Sequence, residues 1–175
     1  MAAVTADEIL SRYAFVAVGS NLGEKKGNCL RGIESLAASG DTQVVECSRF
    51  YQTEPVDYLD QDWFVNAVVK VKTRLDPHGL LETLLAVEAS LGRKRQSAVR
   101  FGPRIIDLDL IFYGPRRIES DGLVLPHPRM HKRRFVLEPI CDIEPELLHP
   151  VLNRTVRQLL ADPDVGCQKL IRLGE

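Results

Sequence analysis

The sequence predicts an α+β fold, a ferredoxin-like βαββαβ sandwich with a C-terminal extension made of a small hairpin and a short helix. Three observations carry that expectation. Four apolar runs of strand length lie at residues 13–18, 44–51, 64–72 and 104–113. Two stretches with apolar residues at helical spacing separate the first run from the second and the third from the fourth. The resulting order is strand, helix, strand, strand, helix, strand, which is the split βαβ arrangement.

Each element has a local reason. Residues 13–18 form a continuous apolar run that stops at Gly19-Ser20-Asn21, as a buried central strand does before a turn. Leu30, Ile33, Leu36 and Ala37 give the first helix its spacing, and Gly40 stops it. Runs 44–51 and 64–72 read as two further strands, joined by a long acidic connection that contains Pro55. Loops of such length are often functional. Asp76-Pro77 starts the second helix as N-cap and first-turn proline, Leu80, Leu81, Leu84, Val87 and Leu91 form its stripe, and Gly92 closes it. A basic loop from Arg93 to Pro103 leads into the last strand. Beyond Gly114, the Ile118 and Val124 region suggests a hairpin around Asp121-Gly122. The remainder, punctuated by Pro126, Pro128, Pro139, Pro145 and Pro150, reads as irregular apart from one short helix near residues 155–160. Residues 1–12 are expected to be a lead-in, and 13–175 a single domain that buries its own core.

Composition narrows the functional classes. Of 175 residues, 45% are hydrophobic and 27% charged, as in ordinary soluble proteins. A net charge of −1 argues against a dedicated nucleic-acid binder, because counterion release favours a strongly basic surface. Cys29, Cys47, Cys141 and Cys167 are scattered without metal-ligand spacing and read as ordinary thiols. No apolar stretch is long enough to span a bilayer, and the N-terminus lacks a signal pattern, so the expectation is a cytoplasmic protein without a membrane partner.

The last strand carries the chemistry. Asp107 and Asp109 sit one residue apart in an otherwise apolar segment, so both project from one face while Ile106, Leu108, Leu110 and Phe112 are expected to pack behind them. At roughly 6–7 Å between Cβ atoms, the pair suits one or two divalent cations. The basic cluster Arg93, Lys94, Arg95, Arg100 and Arg104 precedes it, and phosphate-binding arginines beside cation-binding acids suggest polyphosphate chemistry. In the third run, Val65, Ala67, Val69 and Val71 share a face, leaving Phe64 and Asn66 on the other. That pair could stack on and hydrogen-bond a flat heterocycle, or be a plain strand end with an exposed ring. The segment 125–135 supplies a histidine, several cations and a terminal aromatic within a proline-bounded stretch, a set fit for phosphate or a solvated basic turn. Gly19-Ser20-Asn21-Leu22-Gly23 lacks the phosphate-loop pattern and reads better as a tight turn. Glu88 reads as a partner for an arginine, and His78 and His149 as incidental.

Six segments in order resemble the 6-hydroxymethyl-7,8-dihydropterin pyrophosphokinase family. They are Gly19-Ser20-Asn21-Leu22-Gly23, residues 48–55, Phe64-Val65-Asn66-Ala67, residues 88–95, residues 101–109 and Leu125-Pro126-His127-Pro128-Arg129-Met130. The resemblance implies a folate-pathway enzyme that moves pyrophosphate from ATP to the pterin hydroxymethyl oxygen and releases AMP. It implies two Mg²⁺ ions held by Asp107 and Asp109. Arg93, Arg95, Arg104, His127 and Arg133 match positions that contact phosphates or close over them. Phe64 and Phe135 match an aromatic pair that sandwiches the pterin, with Thr53, Pro55, Val56 and Asn66 at its edge and Phe101 on a closing loop. The loops before Phe64 and Phe101 correspond to lids. Phe64 stands where the family often has tyrosine and Phe101 where tryptophan is common, which keeps stacking but changes a hydroxyl and a ring size. The expected partners are ATP and the pterin alone, for a monomeric enzyme. A nucleotidyltransferase releasing pyrophosphate and a non-catalytic nucleotide sensor are the rival readings.

Overall fold

In the computed structural model, residues 13–56, 59–93, 102–165 and 167–174 are described. The central strand β1 (Tyr13–Ser20) pairs antiparallel with β4 (Phe64–Thr73) on one side and β5 (Asp107–Tyr113) on the other. The far edge of β4 is shared by two strands, β2 (Thr42–Cys47) against its C-terminal part and β3 (Tyr51–Thr53) against Phe64–Asn66. The predicted single strand at 44–51 is therefore broken. Ser48 interrupts it, its Oγ accepting from the Val68 amide at 2.9 Å and its own amide donating to the Val68 carbonyl.

Helices α1 (Lys25–Ala37) and α2 (Pro77–Ser90) cover one face of the sheet. Asp76 caps α2 by accepting from the Gly79 amide at 2.8 Å, a contact that contributes about 1 kcal/mol. Leu80 and Leu84 of that helix are fully buried with Val16, Val69 and Leu108, and each contributes about 1.5–3 kcal/mol. In α1 the buried side is Asn28, Cys29, Gly32 and Leu36, whereas Leu30 faces out at 41% exposure. A Cβ on Gly32 would stand 3.1 Å from Ile106 Cδ1, so glycine there lets the helix approach the sheet.

The other face is not bare, and here the reading of the C-terminal part needs correction. The hairpin is present, as β6 (Ile118–Ser120) and β7 (Leu123–Leu125) with Gly122 at φ +81°, and so is the short helix, α4 (Val156–Leu160). Between them lies a helix that the prolines concealed, α3 (Arg134–Ile143), with Pro139 inside it. Val136, Leu137 and Ile140 of α3 pack with Phe15, Val68, Ile111, Phe112 and Met130 into a second core. β8 (Leu148–His149) and β9 (Arg154–Thr155) form a small ladder, and β10 (Leu170–Arg172) extends the main sheet beyond β3. His149 is buried, and its Nδ1 accepts from the Val151 and Leu152 amides.

A second correction concerns β5. Opposite β1 the register slips, Phe15 pairing with Phe112 but Val16 with Leu110, so Ile111 is the extra residue of a bulge. Leu108 and Leu110 join the core under α2 as expected, but Phe112 is turned to the second core. Among the described residues no helix is long and apolar enough to cross a membrane.

Candidate active site

Strand alternation delivers the site to the second face, at the end of the sheet beyond α3. Phe64 and Asn66 project from β4 on the same side as Val68, and Asp107 and Asp109 from β5 on the same side as Ile111. Asn66, Gly19 and Asp107 are direct neighbours across three strands. A Cβ on Gly19 would lie 2.5 Å from Asn66 Oδ1, so the glycine yields the space over β1 to that amide. Asn66 is fixed in turn by donating to Thr53 Oγ1 at 2.7 Å.

These residues open into a cavity of about 180 Å³. Thr53, Val56, Phe64, Asn66, Arg93, Arg104, Asp107, Asp109, His127, Arg133 and Phe135 all line it, so most of the residues singled out from sequence are brought together. Pro55 is buried but does not line it. Arg95 and Phe101 lie outside the described residues. The acidic pair is neither turned into the core nor distant from the two phenylalanines.

The electrostatics follow from packing. Arg93 donates to both Glu88 Oε1 and Asp107 Oδ1, and Arg104 donates to Asp107 Oδ2 at 2.7 Å. Burial opposes the charge on Arg93, but Asp107 and Glu88 overcome that and hold its pKa above the usual range. Glu88 is an arginine partner as expected, yet it is only 1% exposed rather than on a solvated face. Its Oε1 also accepts from the Leu108 amide at 2.7 Å, so one carboxylate holds the arginine and the strand segment between the two acids. Burial, then repulsion from Asp107, raises the Asp109 carboxyl to about 7. Burial, then Arg133 and Arg129, lowers His127 to about 4. His127 Nδ1 accepts from the Arg129 amide at 3.2 Å, so the ring is neutral with its proton on Nε2. The guanidinium of Arg104 lies 5.6 Å from the Phe64 ring centre, and that of Arg133 lies 5.4 Å from the Phe135 ring centre.

The donor set fits magnesium in a specific way. Among the described residues there is no cluster of three or more protein ligands. Two adjacent carboxylates cannot enclose a cation alone, but Mg²⁺ is commonly held by one or two carboxylates with substrate phosphates and water completing the octahedron.

Glu54, Gln61 and Gln168 also line the cavity without having been singled out as site residues, as does Arg129 of the basic segment 125–135. Gln168 accepts from the Phe135 amide at 3.2 Å and donates to the Glu54 carbonyl at 2.9 Å. A lone glutamine in an irregular tail carries no signal that could have found it. Gln61 sits in the long loop whose length marked it as functional.

Comparison with known proteins adds the following. Residues 15–145 match the model of the family described as 7,8-dihydro-6-hydroxymethylpterin-pyrophosphokinase (HPPK). A 2-amino-4-hydroxy-6-hydroxymethyldihydropteridine pyrophosphokinase of Methylorubrum extorquens is 44% identical over 151 residues, covering 86% of this chain and 93% of the relative. The Bacillus subtilis protein of the same name is 40% identical over 134 residues, covering 77% and 79%. The folic acid synthesis protein fol1 of Pneumocystis carinii is 42% identical over 150 residues, 86% of this chain, but the match spans only 20% of that longer protein. Among solved structures, a Plasmodium falciparum HPPK-DHPS superposes with a TM-score of 0.66 at 18% identity, over 87% of this chain and 46% of the other. At that identity the likeness speaks for the fold, and the chain spans under half of that two-part protein.

Proposed function

The chain belongs to the 7,8-dihydro-6-hydroxymethylpterin-pyrophosphokinase family and transfers pyrophosphate from ATP to 6-hydroxymethyl-7,8-dihydropterin in folate synthesis; on that premise we propose how its cavity divides the work. The observation that carries the reading is the meeting of Asp107, Asp109, Arg93, Arg104, His127 and Arg133 with Phe64, Asn66 and Phe135 in one cavity. Phe64 and Phe135 supply ring faces for the bicyclic pterin, and Thr53, Val56 and Asn66 supply groups for its edge.

The reaction needs the pterin hydroxymethyl oxygen to reach the β-phosphorus of ATP through a shell of negative oxygens. Arg93, Arg104 and Arg133 offset that charge and hold the polyphosphate in line. His127 serves as a neutral Nε2–H donor, which orients an oxygen without adding a mobile proton. Two Mg²⁺ ions on Asp107 and Asp109 would further neutralise the phosphates when bound. Arg93 and Arg104, which otherwise neutralise Asp107, would then be freed for phosphate oxygens. Phe64 in place of the commoner tyrosine keeps the stacking surface. AMP leaves with the charge of its phosphate balanced by the same arginines. Residues 13–175 act as one catalytic unit in this account, as a monomer.

The test combines product analysis with variants. Incubation with ATP, Mg²⁺ and the pterin should yield AMP and the pterin diphosphate, and release of pyrophosphate instead would mark a nucleotidyltransferase. Asp107→Ala and Asp109→Ala should each lower kcat by at least about 10³-fold while pterin affinity stays within about threefold. A comparable loss of pterin affinity in folded variants would contradict the division of labour.

A further inference from the structure

Asn21 has no part in that division of labour, yet it is only 1% exposed and binds both loops that deliver the substrate side chains. Its Nδ2 donates to Gln61 Oε1 at 2.9 Å and to the Asp62 carbonyl at 3.2 Å, in the segment leading directly into Phe64. Its Oδ1 accepts from the Arg104 amide at 2.8 Å, and its own amide donates to the Arg104 carbonyl at 3.1 Å. Lys25, in the first turn of α1, holds the same first loop through Asp62 Oδ2 at 2.6 Å and the Trp63 carbonyl at 2.8 Å. The Arg104 guanidinium reaches Asp107 and also lies over the Phe64 ring.

We infer that Asn21 is a positioning residue that couples the pterin half of the cavity to the nucleotide half. The role needs a carboxamide, because one end must donate to the loop before Phe64 while the other accepts from Arg104. A carboxylate would keep the second link and lose the first. A ligand that orders either loop orders the shared amide, so the other ligand meets a site already partly arranged. Linkage makes the effect reciprocal: the nucleotide tightens pterin binding by the factor with which the pterin tightens nucleotide binding. This inference rests on the assignment of the cavity to those two substrates.

The experiment is a calorimetric cycle on the full chain, with the pterin and a non-hydrolysable ATP analogue in Mg²⁺, each titrated alone and with the other saturating. In the wild type the analogue should tighten pterin binding by at least about fivefold. In Asn21→Asp the factor should fall to within about twofold of one, with each ligand's affinity alone changed by less than about threefold. A wild-type factor of one, a full factor retained in Asn21→Asp, or an equal loss of both separate affinities would each overturn the inference. Should Asn21→Asp fail to unfold cooperatively, Gln61→Ala takes its place, since it removes one acceptor and leaves the Arg104 link. The factor must then drop at least about twofold, and an unchanged one overturns the inference. Failure of the cavity assignment itself is separately visible as undiminished pterin affinity in Phe64→Ala.

Discussion

Between the Asn66 amide and the first of the two acids, Gly19 leaves room for a hydrogen and nothing larger. Gly19→Ala would place a methyl 2.5 Å from Asn66 Oδ1. Asn66 is held by Thr53 and can swing aside only by giving up that bond. The pterin KM should therefore rise about tenfold or more while the ATP KM stays within about twofold, measured by steady-state kinetics. An unchanged pterin KM would mean that Asn66 does not read the ring. At this scale much was legible in sequence, because a period of two places Asp107 with Asp109 and Phe64 with Asn66 without knowledge of the sheet. What escaped was non-local. The arginine partner of Glu88 was expected, but its burial and its bond to the Leu108 amide were not, because that strand reaches the helix only on folding. The turn of Phe112 to the opposite core escaped because nothing in the apolar run around Ile111 marks a bulge.

Among the described helices of eight or more residues, α3 carries a cavity-lining ring, Phe135. It begins immediately after Arg133, contains Phe135, and is held against the sheet by Val136, Leu137 and Ile140. Ile140→Ala should cost about 2–4 kcal/mol in urea unfolding, as should Leu80→Ala in the opposite core. Only the first should also raise the pterin KM several-fold, since of these two helices α3 and not α2 carries a cavity ring. Equal kinetics in the two variants would separate Phe135 from the packing beneath it. The helix was hidden in the sequence by Pro139, which ordinarily argues against a helix interior. Tertiary burial outweighs that cost here, the proline itself being buried with Val136, Leu137 and Ile140. The split of one strand into β2 and β3 was hidden for a related reason, since Ser48 breaks the ladder through bonds to Val68, twenty residues on.

Over the whole molecule the fold class was readable because it depends on the order of strongly patterned segments. The layer behind the sheet was not, because short strands and a proline-bearing helix are weak local signals. Charge is also uneven at this scale. A chain of net charge −1 gathers Arg93, Arg104, Arg129 and Arg133 around one cavity against Glu54, Asp107 and Asp109, the last of which keeps its proton up to about 7. Raising salt from about 0.05 to 0.5 M should therefore increase the ATP KM several-fold and leave the KM of the uncharged pterin within about twofold. Insensitivity of the ATP KM would place the nucleotide away from these arginines. Gln168 bridges Phe135 and Glu54 from a segment beyond residues 15–145, the span that matches the family model. A pterin mimic with an arm extended toward this glutamine would therefore meet a polar group at the pocket wall, a contact that antifolate chemistry can use to add affinity.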